Sequence, residues 1–341
     1  MRGIIIGLVL LALSGCAAPT TQRPNLDNSL IASEREKQLD LAFEMQMDSA
    51  RRLYSVAGPI LRGAVDMCGE KVRVSNGPGV QMWPDGGRKN IVGSGFIVRL
   101  VKEGSEAQKA GFLVGDRLVA MNGVKITFGP QTKEILETVL NDRSHWPTNY
   151  TVLRDGKEID ISLMPCSVCN YLPDIIQQDT INAFADGKKI FVTSGMMRFI
   201  NDDRELALVL SHELAHNIMG HINKKKGNSA LGTMVDIWAA VNGVNTGGQF
   251  GKVGANAYSQ DFEMEADYVG LYIMAKAGYD VSGVANFWRR MAASNPNSIK
   301  QQGYFASHPS SPERFVAIEK AAEEIKEKIA AGKSLDPEMK K

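Results

Sequence analysis

Between Ser211 and His221 the chain reads S-H-E-L-A-H-N-I-M-G-H. Residues four apart share one face of a helix. His212 and His216 therefore present two imidazoles side by side, with Glu213 one residue along. Two such nitrogens can share one zinc ion, and a carboxylate beside the metal's open position can take a proton from water; this is the H-E-x-x-H chemistry of a zinc hydrolase. The pattern constrains the fold more than any other stretch, because a third protein ligand must be delivered by a different element. Chance alone produces it in roughly one chain of this length in a hundred, so the neighbouring sequence has to supply the rest.

The helix that carries the pattern is expected from Asp203 to His221. Asp202 is its N-cap, with Glu205 completing a capping box, and Leu206, Val209, Leu210 and Leu214 bury it. A third histidine six residues after His216 would complete one known spacing, but position 222 is Ile. On a continued helix His221 is turned from the His212/His216 face by roughly 140° or more, which makes it a surface or supporting residue. The other source is a carboxylate on a second helix. Ser259 to Ala275 reads S-Q-D-F-E-M-E-A-D-Y-V-G-L-Y-I-M-A, with Glu263 and Asp267 on one face and Glu265 pointing elsewhere. Glu263 would ligate and Asp267 would orient a histidine ligand. A solvated acidic helix face is the bland alternative.

Taken together, H-E-L-A-H and E-M-E-A-D resemble the HtpX/BepA-type zinc metallopeptidases, the group that also includes the eukaryotic CAAX-prenyl endopeptidases. The resemblance runs from about Cys166 to Lys328 and includes Asn182-Ala-Phe-Ala, Glu205-Leu-Ala, His221 and Ser307-His308-Pro309 in the family's order. It implies one zinc ion per chain held by His212, His216 and Glu263, with Glu213 as general base and Asp267 behind the ligands. It also implies a gluzincin-type peptidase domain over residues 166–332, mainly helical with a small sheet. One departure is Gln260, where many relatives carry arginine. His308 is either a loop-packing residue or a cleft residue. In the cleft it polarises the tetrahedral intermediate, or becomes a fourth ligand that displaces water and silences the enzyme. Arg314 is expected to reach the oxyanion. Lys189 to Thr193 is expected as the edge strand along which a substrate adds.

The rest of the chain reads as α+β and multidomain. Arg2 and the apolar run Ile4 to Leu13 form a signal segment over residues 1–15, and Leu13-Ser14-Gly15-Cys16 resembles a bacterial lipobox. Lipidation of Cys16, with Ala17 rather than Asp after it, points to an outer-membrane lipoprotein facing the periplasm; an ordinary secretory signal is the alternative. Residues 16–28 are a polar tether. Residues 29–88 hold a long helix, Asp27 to Val56, whose Leu39, Phe43 and Met47 recur at i+4, and a connecting region with a strand at Lys71 to Val74; the mixed charges favour packing of the helix, and a place on the membrane surface is the alternative.

Residues 89–165 resemble a PDZ domain on the strength of A-G-F-L-V-G-D-R-L-V-A-M-N-G, with a helix near Lys133 to Leu140 and a hairpin from Asn149 to Leu163 around Asp155-Gly156. The resemblance assigns peptide binding to Gly93, Ser94, Gly95 and Phe96; a packing module with a filled groove is the alternative. His145 is read as structural. Ser229 to Gly254 is small, apolar and glycine-rich, a partly ordered stretch, and 333–341 is a tail. Past Cys16 the thiols are Cys68, Cys166 and Cys169, which allow one bridge within the chain, from Cys68 to one of the C-x-x-C pair. Lys and Arg number 39 against 38 Asp and Glu, so no basic field suggests nucleic acid. The expected partners are protein or peptide substrates, including unfolded envelope proteins, and a membrane through the lipid anchor. The rival is a periplasmic chaperone or adaptor in which the PDZ-like unit works and the zinc site is latent.

Overall fold

The computed structural model describes residues 26–75, 79–84, 95–127, 129–227, 234, 236–237, 247, 249, 259–294, 308 and 311–338. The signal segment, Cys16, Gly93, Ser94 and most of Ser229 to Gly254 lie outside these residues. The chain divides into two compact units, 1–45 and 46–341.

α1 spans Asn28–Gly63. It runs past the expected end at Val56, and the residues it buries are Leu53, Val56, Ala57, Ile60 and Leu61. These fall at i, i+3, i+4, i+7 and i+8, one helical face. Of the repeat Leu39, Phe43 and Met47, Leu39 is 42% exposed and the other two are half-buried. Among the described residues no helix is long and apolar enough to cross a membrane.

β1 (Val72–Ser75) pairs antiparallel with β8 (Cys166–Cys169), and Cys68 is bridged to Cys169 with Cα atoms 5.7 Å apart. Cys166 is left as a half-buried thiol. Between β1 and β8 the chain forms a separate antiparallel sheet. Its strands are β2 (Val80–Pro84), β3 (Phe96–Val101), β4 (Arg117–Met121), β5 (Val124–Lys125), β6 (Thr148–Arg154) and β7 (Lys157–Leu163), in the order β2-β3-β4-β6-β7 with β5 on β4. β6 and β7 form the expected hairpin, with Asp155 and Gly156 both at positive φ as a two-residue turn requires. The short α2 (Glu106–Lys109) and α3 (Thr132–Asn141) accompany this sheet. Phe112, Met121, Tyr150 and Val152 anchor its own core.

Two expectations change here. The sheet starts at Val80, before the boundary placed at residue 89. Phe96 is paired with Pro84 on one side and Leu118 on the other. A peptide adds only to an open edge; Phe96 lies on an interior strand, and the edges of this path among the described residues are β2 and β7.

The remaining elements carry a second core. β9 (Pro173–Ile176), β10 (Ala183–Ala185) and β11 (Ile190–Thr193) form a mixed sheet in the order β10-β11-β9. β11 is therefore central, and the expected edge strand at Lys189 to Thr193 gives way to β10; the Asp186–Gly187 turn puts the first strand of this hairpin outside. Helices follow as α4 (Ser194–Phe199), α5 (Asp203–Ile218), α6 (Ser259–Lys276), α7 (Ala285–Ser294) and α8 (Pro312–Ala330). α5 and α6 pack across the centre of this core, with Leu206, Leu210, Leu214, Leu271 and Tyr272 fully buried.

Candidate metal centre

α5 starts where the capping chemistry places it. The Glu205 amide donates to Asp202 Oδ1 at 2.9 Å, and Glu205 Oε2 accepts from the Asn201 amide at 2.8 Å. Burial raises the Glu205 carboxyl, but Arg290 and the Asn201 amide outweigh it and leave it lowered. α5 ends at Ile218, short of the expected His221. Gly220 at φ +69 breaks the helix, and residues 221–227 begin a new helical stretch. The break turns His221 inward, fully buried and stacked on Phe262 with centroids 4.6 Å apart.

α6 crosses α5 closely. A Cβ on Gly270 would lie 3.1 Å from the Cα and N of His212, so the missing side chain lets the two backbones meet. That approach carries Glu263 and Asp267 to the histidine face. His212 Nε2 and His216 Nε2 are 3.1 Å apart, and each lies 3.3 Å from a Glu263 oxygen, Oε2 and Oε1 respectively. His308 joins them, its Nδ1 2.9 Å from Glu263 Oε2 and 3.3 Å from His212 Nε2. One donor atom from each of these four residues lies within 4.8 Å of the others.

These separations test whether a metal fits. Four ligands at 2.0–2.1 Å around a tetrahedral ion are roughly 3.3 Å from one another, close to the spacings found. Among the described residues, two buried carboxylate oxygens, Glu263 Oε1 and Glu213 Oε2, have no hydrogen-bond partner. A buried anionic oxygen without a donor is rare in folded proteins, and a cation among imidazole nitrogens resolves it. The donor set of three imidazoles and a carboxylate suits a divalent transition metal.

Charge supports the cluster from behind. Asp267 Oδ1 is 2.9 Å from His212 Nδ1. Asp267 accepts two bonds from Arg314, at 2.8 and 3.0 Å. Arg314 Nη1 also lies 3.2 Å from Glu263 Oε2. Arg314 is 3% exposed. Two buried carboxylates, Asp267 and Glu263, hold its guanidinium. Burial lowers the His212 imidazole, but Asp267 and Glu263 override that and bring it up to about 10. Burial raises Glu263, yet His308, His212 and His216 hold it well below the usual carboxylate range. Burial leaves His216 lowered.

Glu213 and His308 face each other. Glu213 is buried, with Oε1 3.2 Å from His308 Nε2. The same Nε2 lies 3.1 Å from the Ala183 carbonyl on the edge strand β10. One imidazole thus touches the ligand cluster, the neighbouring carboxylate and the strand edge. Sequence reasoning missed Asn217, whose side chain accepts from the Gly187 amide at 2.8 Å and donates to the Lys189 carbonyl at 3.0 Å, tying α5 to the β10–β11 turn. It also missed Trp288, whose ring is 5.2 Å from that of His212, and the pairing of His221 with Glu265. Only Asn217, next to His216, carried a local signal.

Residues 170–322 match the model of Peptidase family M48. Over 182 residues it is 31% identical to the mitochondrial metalloendopeptidase OMA1 of Schizosaccharomyces pombe, covering 52% of this chain and 53% of that one. Over 167 residues it is 25% identical to the beta-barrel assembly-enhancing protease of Yersinia pestis, covering 45% of this chain and 34% of that one. The chain thus spans about half or less of these curated relatives. A crystal structure of the HtrA3 PDZ domain bound to a phage-derived ligand covers 28% of this chain and 90% of its own at 25% identity, with a TM-score of 0.22. At that score it bears on neither fold nor function.

Proposed function

We propose that the protein is a zinc-dependent endopeptidase that cleaves protein substrates at the bacterial cell envelope, in the quality control of envelope proteins. The observation that carries this reading is the convergence of His212, His216, Glu263 and His308 beside the Glu213 carboxylate. His212, His216 and Glu263 would hold the metal. Zinc, when bound, supplies a Lewis acid that acidifies water and polarises a peptide carbonyl. Glu213 Oε2, buried and without a partner among the described residues, takes the proton from the attacking water and returns it to the leaving amine. Arg314 keeps Asp267 ionised, and Asp267 keeps the His212 ring turned toward the metal. A substrate segment adds as a strand on the open edge of β10.

The 80–163 sheet serves peptide capture, with β2 as the edge a peptide joins. Lipidation of Cys16 would hold the whole at the outer membrane, on its periplasmic side. The name of the Yersinia pestis relative favours an envelope substrate.

One observation favours a second reading. His308 occupies the position next to Glu213 and also bonds the β10 edge. With His308 there, the metal site is closed and latent, and the PDZ-like unit acts as a chaperone or adaptor until His308 withdraws.

The experiment is zinc quantification with cleavage of an unfolded protein such as casein, comparing purified wild type with Glu213→Gln. The proposal expects one zinc per chain in both and cleavage in the wild type alone. A variant that cleaves as well as wild type overturns the general-base role. A chain that binds no zinc overturns the enzyme.

A further inference from the structure

His216 has two ring nitrogens with different tasks. Nε2 faces His212 and Glu263 inside the cluster. Nδ1 faces away, 2.9 Å from Nδ1 of His221. The far nitrogen of His221, Nε2, is 2.6 Å from Glu265 Oε2. His221 is fully buried and Glu265 is 25% exposed at its side chain, so this row runs from the cluster outward to the surface.

Hydrogen-bond bookkeeping fixes the protons along the row. An ionised carboxylate only accepts, so Nε2 of His221 must carry the hydrogen that Glu265 receives. A neutral imidazole has one N–H, which leaves Nδ1 of His221 as an acceptor. The nitrogen facing it, Nδ1 of His216, must then donate. Nε2 of His216 is left with a lone pair aimed at Glu263 and His212, the state a metal ligand needs. The alternative arrangement, with the hydrogen on Nε2 of His216, would set two lone pairs against each other at 2.9 Å.

Local structure builds the row rather than permitting it by accident. Gly220 at φ +69 ends α5 and redirects the chain, so His221 stands beside His216 instead of a turn beyond it. Phe262 stacks on the His221 ring at an interplanar angle of 17°, which holds its plane. Phe262 and Glu265 belong to the same helix as Glu263 and Asp267, so α6 supports both histidines. His212 is backed directly by Asp267, while His216 is backed by Glu265 through a second imidazole.

We propose that Glu265 and His221 form a positioning relay that fixes the tautomer and ring orientation of His216 for metal binding. The inference rests on the metal-site reading above. His221 never touches the substrate in this arrangement; it acts through His216.

The test uses the full chain stripped of metal by a chelator and titrated with zinc alone. Nitrogen-15 spectra of labelled histidines in the metal-free protein should show His216 protonated at Nδ1. His221→Ala should abolish that single tautomer and weaken zinc binding by about tenfold to a hundredfold, read by competition with a chromophoric chelator. His221→Gln, whose side-chain oxygen can accept the same bond, should restore most of both. Glu265→Ala, at the partly exposed end, spares the packing and should give a smaller loss of affinity and a mixed tautomer. A purely structural role would lower thermal stability but leave tautomer and affinity in place. If folded Glu265→Ala and His221→Ala both keep wild-type affinity and tautomer, the relay is overturned while the metal site stands. If the wild type itself binds no zinc, the metal-site reading fails instead.

Discussion

Arg314 grips Asp267 with a fork. Its Nε and Nη2 donate to the two carboxylate oxygens at 2.8 and 3.0 Å, with both side chains 3% exposed. The guanidinium also neutralises Glu263 from 3.2 Å. Removing one member of a buried ion pair costs about 3–5 kcal/mol, because the partner keeps its charge without compensation. Arg314→Ala should therefore destabilise the metal-free protein by about that amount in urea denaturation. Arg314→Lys should recover only part of it, since an ammonium cannot make the fork. α8 itself is not at issue, as Ser311 caps it through the Arg314 backbone amide. A loss under about 1 kcal/mol for Arg314→Ala would show that the pair is not needed.

Gly270 sets the distance between the two helices that carry His212, His216 and Glu263. In an ordinary helix Gly→Ala gains about 1 kcal/mol. Here the added Cβ would press on the His212 backbone at 3.1 Å, and helix backbone does not yield as a side-chain tip does. Gly270→Ala should push Glu263 away from His212 and His216 and weaken zinc binding by about tenfold or more. Gly270→Val should abolish it. Unchanged zinc affinity in the alanine variant, measured by chelator competition, would mean that the crossing has slack.

Much of the site was legible because its chemistry is local. His212 and His216 share a helix face by spacing alone, and Glu263 with Asp267 repeats that on α6. Asp202 and Glu205 announce the helix start. The parts that were not legible depend on long-range placement. No periodicity says that Arg314 faces inward to Asp267, or that β10 rather than β11 forms the edge. The PDZ resemblance places Phe96 in a peptide-binding loop, but the strand Val80–Pro84, bounded by turn residues and ending in proline, pairs with it and covers that edge. The turn of His221 toward His216 came from a positive φ at Gly220, which a single glycine near a helix end only hints at.

The Cys68–Cys169 bridge spans 101 residues and closes the chain around the whole 80–163 sheet. A loop of that length restrains the unfolded chain strongly, and loss of such a bridge costs about 2–5 kcal/mol. The double variant Cys68→Ser, Cys169→Ser should lose that much stability in urea, with no gain of a new bridge because only Cys166 remains in the pair. A shift of the midpoint too small to amount to about 1 kcal/mol would place the stabilisation in the β1–β8 pairing instead.

On the proposed reading, zinc and protons compete for His212. Burial alone would lower its imidazole, but Asp267 and Glu263 bring it from the ordinary 6.5 up to about 10 in the metal-free protein. From the ordinary value up to that one, the folded apo protein keeps the proton, and zinc must expel it. Lower pH strengthens the competitor, so affinity should rise with pH. The expected slope is about tenfold per unit between about pH 7 and pH 9, and steeper if His308 also releases a proton. A flat affinity over that window would mean that His212 is already neutral.

His308 decides whether the closed arrangement is a resting state. Its Nδ1 sits 2.9 Å from Glu263 and its Nε2 3.2 Å from Glu213 and 3.1 Å from the Ala183 carbonyl. An open position at the metal is what separates a catalytic zinc site from a closed structural one, and this ring fills the place beside the base. His308→Ala removes one donor from the cluster while leaving Glu213 and the β10 edge free. Zinc should bind about tenfold more weakly, and at saturating zinc the cleavage of unfolded protein should rise several-fold above wild type. His308→Cys, which keeps a ligand but cannot reach the Ala183 carbonyl, should hold zinc and gain less activity. If His308→Ala loses cleavage by about a hundredfold at saturating zinc, the ring is assisting the reaction. The latent reading then falls, and the imidazole belongs among the groups that polarise the substrate.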